Sequence, residues 1–328
     1  PGEGSTMYRY LSISLSFALA ALVALPAAAQ LNGHNLRGDY GLSAGSQPPP
    51  GIWVGLLYPN LNIDALRDRD GDEIPANFDI DYHAVAPWLW WVSNTKILGG
   101  NYSIFVAPVW ANSALEAPAL GIDSTAGTGF GDLYVQPIVL GWHKERADYL
   151  AGLGIFAPTG RYEVDGDENI GLGMWSYEAF GGATFYLNQA KTWNLAAVAF
   201  YETHGSKEGS NQKVGDIVTL EGGLGRTFSE GAINVGIAYF GQWKVSDDDL
   251  GLEINLPGDF PLDLPNLHRH QIFGAGPDVT FPLASKKKFY GSLTLRYYWD
   301  FAVESNAESR TFIFNLSMPV PFISLTEE

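Results

Sequence analysis

One short stretch spaces acidic residues in the way that calcium-binding loops present their oxygen ligands. Asp68, Asp70 and Asp72 occur at every second position, with Gly71 inside the stretch and Glu73 directly after it. Ca²⁺ prefers carboxylate and carbonyl oxygens, so these three aspartates are candidate ligands of a weak calcium site. The order of an EF-hand, with glycine at position six and glutamate at position twelve, is missing. A solvated loop therefore stays open as the alternative.

A serine framed by glycines occurs in the motif Gly41-Leu42-Ser43-Ala44-Gly45, which matches the pattern of a nucleophile elbow. That chemistry needs a strand before the serine, a helix after it, and an ordered acid and histidine. Residues 41–45 lie in a stretch rich in glycine and proline, which predicts neither element. We expect a flexible segment here, and we predict no catalytic residues.

Two histidines, His268 and His270, are separated by one residue and would share one face of a strand. Two imidazoles can bind a metal, but a closed site needs further ligands, and the sequence places none. The chain has no cysteine, which excludes a thiolate metal site and a thiol nucleophile. We therefore expect no cofactor apart from Ca²⁺ at acidic loops.

The beginning of the chain contains an export signal. Arg9 is followed by an apolar run over 11–25 and by the small residues Ala27, Ala28 and Ala29, which is the order of a secretory signal peptide. We predict that residues 7–29 are removed and that residues 1–6, before the methionine, lie outside the fold. The run of about 15 apolar residues is short for a membrane-spanning helix, although a retained anchor is the alternative.

Composition points to a protein that meets lipid with strands. The formal net charge is −17, which argues against nucleic acid as a partner. Aromatic residues and glycine are abundant, with 10 Trp, 16 Tyr, 18 Phe and 38 Gly, and apolar residues make up 46% of the chain. No segment after the signal peptide is long and apolar enough for a membrane helix. These features favour a β-barrel in the bacterial outer membrane, with a soluble periplasmic β-protein as the alternative.

Periodicity supports the barrel. Segments 175–187, 233–245 and 289–303 alternate apolar and polar residues, as strands with two different faces do. Tight turns and longer connections alternate along the chain, which predicts an all-β, antiparallel up-and-down barrel of about twelve strands over residues 51–328. Both ends of the barrel should lie on the short-turn, periplasmic side. The expected tight turns are Ser93–Thr95, Glu145–Asp148, Asn188–Lys191, Ser229–Gly231 and Ala284–Lys287, and the expected long connections are Asp64–Ala76, Ser113–Gly129, Val164–Ile170, Gly205–Lys213, Asp247–Pro265 and Ser305–Glu308.

Charge differs between the two predicted ends of the barrel. Acidic residues concentrate in the long connections, whereas lysines such as Lys286, Lys287 and Lys288 mark the short turns. Acidic outer loops beside lipopolysaccharide phosphates would be bridged by Ca²⁺. Solvated loops without a bound ion are an equal alternative.

The segment between the signal peptide and the barrel, residues 30–50, does not alternate and contains Pro48, Pro49 and Pro50. We expect it to be irregular and to fold into the lumen as a small plug. A loose periplasmic tail is the alternative.

The face that we assign to the lumen carries charges of both signs. A lysine or arginine facing lipid at mid-bilayer costs roughly 2–4 kcal/mol, so Lys244 and Arg296 should face inward beside acids. This face would form either a polar network that narrows a water path or a site that orients a ligand. Inward aromatics, among them Phe105 and Phe180, would add apolar patches for a hydrophobic solute. The ligand or lumen candidates are Asp81, His83, Glu178, Tyr186, Phe200, Glu202, Glu221, Phe240, Lys244, Arg296, Tyr298 and Asp300.

Prolines interrupt several predicted strands. Proline cannot donate to a β-ladder and favours edges or bulges, and a closed barrel has no edges, so we expect bulges. A bulge could open a lateral gap through which an apolar solute leaves into the bilayer; the alternative is that the prolines only shape strand ends. The prolines concerned are Pro87, Pro108, Pro137, Pro158, Pro277 and Pro282.

Several glycine-rich motifs, in this order, resemble one family. They are Pro48–Gly51, Leu66–Asp68, Gly129–Leu133 with Pro137, Ala157–Tyr162 and Asn169–Trp175. Over residues 47 to the end, the chain is similar to the outer-membrane proteins of the meta-pathway phenol degradation family. The resemblance implies an uptake channel for hydrophobic or aromatic compounds.

The end of the chain departs from the usual barrel pattern. Many barrels end on an aromatic residue, whereas this chain ends Leu325-Thr326-Glu327-Glu328. Phe312, Phe314 and Phe322 would then provide the signal for the barrel assembly machinery.

We therefore expect an outer-membrane channel for passive uptake, without an enzymatic step. Its partners would be outer-membrane lipid, lipopolysaccharide, the barrel assembly machinery and a small hydrophobic or aromatic solute. The alternatives are a structural or adhesin-type barrel and a barrel lipid hydrolase, which would need Ser, His and an orienting residue at the outer rim.

Overall fold

A computed structural model describes residues 32–75, 79–117, 122–164, 166, 168–228, 233–249, 269–321 and 323–324. The predicted signal peptide, His268, Phe322 and most of the predicted connection Asp247–Pro265 lie outside these residues. Within them, no helix is long and apolar enough to cross a membrane.

The described chain forms one antiparallel sheet that closes on itself. The first strand pairs with both the second and the fourteenth, which completes the ring. The strands are β1 (Gly51–Arg67), β2 (Asp79–Ile97), β3 (Gly100–Ala107), β4 (Trp110–Ala117), β5 (Ile122–Phe130), β6 (Leu133–His143), β7 (Ala147–Ala157), β8 (Ser176–Tyr186), β9 (Trp193–His204), β10 (Ile217–Phe228), β11 (Ile233–Lys244), β12 (Gln271–Ala284), β13 (Lys288–Glu304), β14 (Asn306–Val320) and β15 (Ile323–Ser324).

The wall has twelve strand positions, because three pairs of these elements each share one position: β3 with β4, β5 with β6, and β14 with β15, both of which pair with β13. β3 and β4 both pair with β2, and β6 and β5 pair with β3 and β4 respectively. Gly131 N–H donates to the Val109 carbonyl (2.8 Å) where the two halves meet. The predicted all-β barrel of about twelve strands is confirmed.

Short and long connections fall at opposite ends of the barrel, as predicted. Two of the predicted long connections, however, are wrong. The predicted long connection Ser113–Gly129 is wrong, because β4 and β5 pair from Ala117 and Ile122 downward and extend as a hairpin. The predicted connection Ser305–Glu308 is also wrong, since Ser305 alone joins β13 and β14. Polar composition indicated loops in both places, but antiparallel pairing continued through them.

The two faces of the strands differ as the alternation predicted. In β8, Ser176, Glu178 and Phe180 are buried, whereas Tyr177 and Phe185 are 50% and 45% exposed. The outward side chains form the apolar surface that a lipid bilayer covers, with aromatics near both ends as expected of girdles. Exposed aromatics at the long-loop end are Trp110, Trp175, Tyr177, Tyr201, Trp299 and Phe301, and those at the short-turn end are Trp91, Tyr149, Phe185, Trp193, Phe228 and Tyr290.

The prolines have different effects on the wall. The ladder between β6 and β7 shifts register across Pro137, which confirms the predicted bulge there, and another shift follows Pro282. Pro108 lies at the break between β3 and β4, and Pro158 directly follows β7. At the remaining two positions the prediction of a bulge is wrong, because the pairs Leu56–Pro87 and Ile237–Pro277 keep register.

Residues 32–50 lie inside the barrel and are named the inner segment here. At the short-turn end, Gln47 donates to Ser103 Oγ (2.8 Å), and at the long-loop end His34 contacts Ser176 at the start of β8. Two glycines allow the close approach. Gly38 has φ +80° and packs on the Tyr298 ring, and a side chain at Gly45 would collide with the backbone of Ala183. The inner segment therefore follows the lumen along the length of the wall.

Candidate functional site: a cavity beside the inner segment

Carboxylates of the wall hold the backbone of the inner segment. Glu202 Oε1 accepts the His34 N–H at 2.6 Å, and Glu221 Oε2 accepts the Tyr40 N–H at 2.8 Å. Glu178 is likewise inward, and it accepts a side-chain amide bond from the inner segment at 2.9 Å. Through these hydrogen bonds the three glutamates fix the position of the inner segment.

Arg296 is the main cationic anchor of the same segment. Its Nε donates to Asp278 Oδ2 at 2.6 Å, and its Nη1 donates to the carbonyls of Gly38, at 2.9 Å, and of Asp39. The Tyr298 hydroxyl also donates to the Gly38 carbonyl, at 3.2 Å. Because Arg296 and Asp278 are both almost fully buried, their pairing offsets part of a large desolvation cost.

The predicted inward aromatics cover the inner segment and only partly face open space. Phe200 packs against Tyr40 with ring centroids 5.1 Å apart, and Phe240 packs against Tyr298 at 5.2 Å. Tyr186 faces inward as well and donates to Asp148 at 2.7 Å. Of the four predicted aromatics Phe200, Phe240, Tyr186 and Tyr298, only Phe200 lines the large cavity of the lumen, together with Tyr40 of the inner segment.

Two further predicted lumen residues face inward and have partners in the wall or the loops. Lys244 Nζ donates to Asp248 Oδ2 at 2.8 Å. Asp300 Oδ2 accepts both the backbone N–H and the hydroxyl of Ser309, at 2.8 and 2.6 Å.

The assignment of Asp81 and His83 to the lumen is wrong. In β2 the inward set contains Ile80, Tyr82 and Ala84, so the residues between them lie on the outer face. His83 Nε2 contacts Asp81 Oδ2 at 3.0 Å, and the two side chains are 37% and 49% exposed. They lie beyond the outer aromatic girdle, where an outward charge does not meet lipid tails and therefore has little cost.

A cavity of about 1100 Å³ lies between the inner segment and the side of the wall formed by β14, β1, β2 and β3. A volume of this size accommodates a small organic molecule. The wall on this side is apolar. Its apolar lining residues include Leu57, Pro59, Leu61, Ile63, Ile80, Ala84, Ala86, Trp88, Trp90 and Phe105.

Sequence reasoning missed this apolar wall, apart from Phe105. The first half of β1, from Gly51 to Tyr58, is apolar on both faces, so alternation does not distinguish inside from outside there. The second half of β1 does alternate, with Asn60 and Asn62 between Leu61 and Ile63. This alternation could have predicted that Leu61 and Ile63 share one face of the wall.

The charged lining of the cavity is opposite in sign to the chain as a whole. Arg37, Lys244 and Arg296 line the cavity, whereas Asp39 is the one carboxylate among the described lining residues. The net charge of the chain is −17. An anion inside the cavity therefore meets a lining with more positive than negative side chains, whereas the loops outside are acidic.

A serine, a histidine and an aspartate form a hydrogen-bonded line at the outer rim of the lumen. His34 Nδ1 lies 2.7 Å from Ser176 Oγ, and His34 Nε2 lies 2.8 Å from Asp132 Oδ2. Asp132 also accepts backbone N–H groups of Gly160 and Leu172 at 2.9 and 2.7 Å. The residue types are those of a catalytic triad, but the two ring nitrogens are exchanged relative to the Ser-His-Asp template, and Ser176 is 0% exposed. In this arrangement the hydroxyl is closed to a substrate, and the line connects the inner segment to the wall.

The outer loops pack over the end of the barrel. Met174, Val214 and Ile217 form an apolar cluster, and the nearby Lys207 donates to the Leu172 carbonyl at 2.9 Å. Burial lowers the pKa of Lys207 to about 8. These contacts restrict access to the lumen from outside.

The other candidate motifs have ordinary partners. Asp68 Oδ1 accepts the N–H groups of Asp70 and Asp72 at 2.9 Å each, and within the described residues no group of three or more His, Asp or Glu is placed to hold a metal. A weak calcium site at Asp68, Asp70 and Asp72 stays a prediction. The expectation of flexibility at residues 41–45 is wrong, because this stretch is packed between Asp278 and Ala183.

Comparisons with known proteins agree with this architecture. A family model described as "Putative MetA-pathway of phenol degradation" matches residues 63–316. The COG4313 outer membrane channel from Pseudomonas putida F1 has a similar structure, with a TM-score of 0.70 at 13% identity, covering 87% of this chain and 99% of that one. The beta domain of the Bordetella autotransporter BrkA gives a TM-score of 0.46 at 13% identity, covering 82% and 98% of the two chains. No curated protein sequence matches the chain.

Proposed function

From the premise that this chain belongs to the MetA-pathway phenol degradation family, we propose that it takes up small hydrophobic and aromatic compounds passively across the outer membrane. The resemblance seen in the sequence is confirmed by the family match, and the barrel fold places the chain in the bacterial outer membrane. The solute would move down its gradient, without a chemical step by the protein.

The observation that supports this proposal is the one-sided apolar lining of the cavity. Leu57, Leu61 and Ile63 of β1 lie beside Trp88 of the paired strand β2, on one side of the open space. Burying apolar surface is favourable by about 25 cal/mol per Å², so a hydrophobic solute gains from contact with this wall. A general porin has a polar, water-filled interior and would gain nothing from such a lining.

Uptake in intact cells with a lipopolysaccharide outer leaflet tests the proposal. Radiolabelled toluene should enter cells that express the chain several-fold faster than cells that lack it. Leu61→Trp fills part of the cavity and should reduce the rate. Leu56→Trp, on the outer face of the same strand, adds an aromatic to the lipid surface and serves as the matched control. Equal rates with and without the chain would refute uptake and favour a structural or adhesin-type barrel.

A hydrolase is the second candidate, and one observation favours it: the line of Ser176, His34 and Asp132. Activity would require the inner segment or the loops to move, since Ser176 is fully buried. Labelling by a fluorophosphonate probe that is lost in Ser176→Ala, together with ester hydrolysis lost in the same variant, would support it. Absence of labelling under conditions in which the barrel is folded would exclude it.

A further inference from the structure

Arg37 of the inner segment contributes a cation to the lining of the cavity. Its guanidinium carbon lies 5.9 Å from the centroid of the Phe240 ring. Among the described residues, no carboxylate lies within ion-pairing distance of it. The other cations that line the cavity differ, because Arg296 binds Asp278 and Lys244 binds Asp248. A guanidinium carries five N–H donors, so Arg37 retains most of its capacity for an anion.

Two buried polar side chains at the long-loop end of the barrel each have one nitrogen without a hydrogen-bond partner among the described residues. Asn306 is 5% exposed, and its Nδ2 has no hydrogen-bond partner, while its Oδ1 accepts the Ala307 N–H at 2.8 Å. His270 is 4% exposed, and its Nε2 has no partner either. Both residues line the cavity. Leaving a buried amide donor without a partner is destabilising, so the Asn306 amide is suited to an incoming acceptor, and His270 Nε2 can donate in one of its two tautomers.

Electrostatic coupling connects these groups. Arg37 is near enough to His270 to act on it: burial and the charges of Lys244 and Arg37 hold the pKa of His270 well below its ordinary value. His270 is therefore neutral and does not add a fixed charge. The positive charge of Arg37 also favours the charged form of Asp300. Asp300 does not line the cavity, and its Oδ1 has no hydrogen-bond partner among the described residues. A water-bridged Arg37–Asp300 pair is the competing explanation.

The positions of these groups relative to the apolar wall indicate the shape of a ligand. Arg37 lies on the inner segment and Asn306 at the outer end of β14, beside Arg67 of β1, whereas Leu61 and Trp88 lie farther from that end on β1 and β2. A molecule with one anionic group and an apolar body would satisfy both surfaces together. Carboxylates match the planar donor fork of arginine.

We propose that this cavity binds monocarboxylates with an apolar body, with the carboxylate on Arg37 and Asn306 and the body against β1 and β2. This inference rests on the proposed uptake function and names a substrate class for it. Neutral aromatics would use only the apolar wall and would bind more weakly.

Binding of benzoate and of benzamide to the purified full chain in detergent, measured by calorimetry, separates charge from shape. Benzoate should bind roughly tenfold or more tightly than benzamide, because a hydrogen bond between two charged groups is stronger than one to a neutral amide. Arg37→Gln should remove this preference and leave benzamide binding unchanged. Asn306→Asp places a carboxylate at the site and should weaken benzoate binding further. Arg310→Gln, on the outer surface and paired with Asp64, is the matched control.

Equal binding of benzoate and benzamide, or an unchanged preference in Arg37→Gln, would overturn the inference and support the Arg37–Asp300 pair. The toluene uptake assay is independent of this result, so a failure of charge recognition is distinguishable from a failure of uptake. If neither probe binds, the inference is wrong, and uptake decides the function.

Discussion

Arg296 of β13 binds the carbonyl oxygen of Gly38, 258 positions earlier in the chain, with Nη1 at 2.9 Å. The same guanidinium binds Asp278 on the neighbouring strand β12. One side chain thus connects the inner segment to the wall, and the contact depends on a glycine with φ +80°. The inner segment is therefore an integral part of the folded barrel, and loss of its contacts with Arg296 should lower the stability of the whole barrel.

Arg296→Gln should release the middle of the inner segment. The variant leaves Asp278 buried without its counter-ion, which costs about 3–5 kcal/mol. We expect a lower unfolding temperature and a higher single-channel conductance in planar bilayers. Arg296→Met combined with Asp278→Leu removes both charges and should recover most of the stability, while the conductance stays high. Wild-type conductance in both variants would contradict the role of Arg296 as an anchor.

A disulfide between the inner segment and the wall should lock the lumen. Ser46 Oγ donates to Asp148 Oδ2 at 2.8 Å, and the chain has no cysteine of its own. In the variant Ser46→Cys with Asp148→Cys, oxidation should lower conductance and solute uptake, and reduction should restore both. Each single cysteine variant is the control. If the oxidised variant conducts and transports like wild type, movement of this part of the inner segment is not required.

The lipid face and the outer rim should respond differently to charge. Leu224 is 46% exposed on the outer face of β10, and Leu224→Arg should cost roughly 2–4 kcal/mol of folding free energy near the mid-bilayer. Asp81→Arg lies beyond the girdle and should change stability by about 0.5 kcal/mol or less. Denaturant titrations of folding into lipid bilayers measure both. Equal costs would refute our placement of the membrane boundary.

The outer loop around Lys207 should become more stable as pH rises. Its pKa is about 8 when packed, against an ordinary value of 10.5. Below pH 8 both the packed and the open loop carry the cation, so burial costs free energy. Between about pH 8 and 10.5 the open loop binds more protons, and the packed loop gains stability with pH.

Hydrogen exchange over residues 205–216, corrected for intrinsic rates, measures this effect. Lys207→Met should abolish the pH dependence. Protection that falls between pH 8 and 10 in the wild-type chain would contradict the assignment.

The barrel was predictable because its two surfaces face different solvents. Lipid and lumen impose opposite polarity on neighbouring residues, so β8, β11 and β13 reveal their faces in the sequence. The same rule failed at Asp81 and His83, since above the girdle both sides of the wall are wet and polarity no longer reports direction.

The site was less predictable, because its contacts join positions far apart in the chain. Glu202, Glu221 and Arg296 were correctly expected to face inward, but no local pattern indicates that their partners are backbone groups of residues 34–40. Arg37 gave no signal at all. Its importance comes from the absence of a carboxylate partner among the described residues, which only the three-dimensional arrangement shows.

The seam between β1 and β14 has a consequence for biogenesis. It runs from the pair Ile52–Val320 to the pair Arg67–Asn306, and the inner segment leads directly into β1. Because the tether to β1 is short, the inner segment is held beside its hydrogen-bonding partners on the wall while this seam closes. Contacts with the segment therefore add to the free energy that favours the closed barrel during membrane insertion.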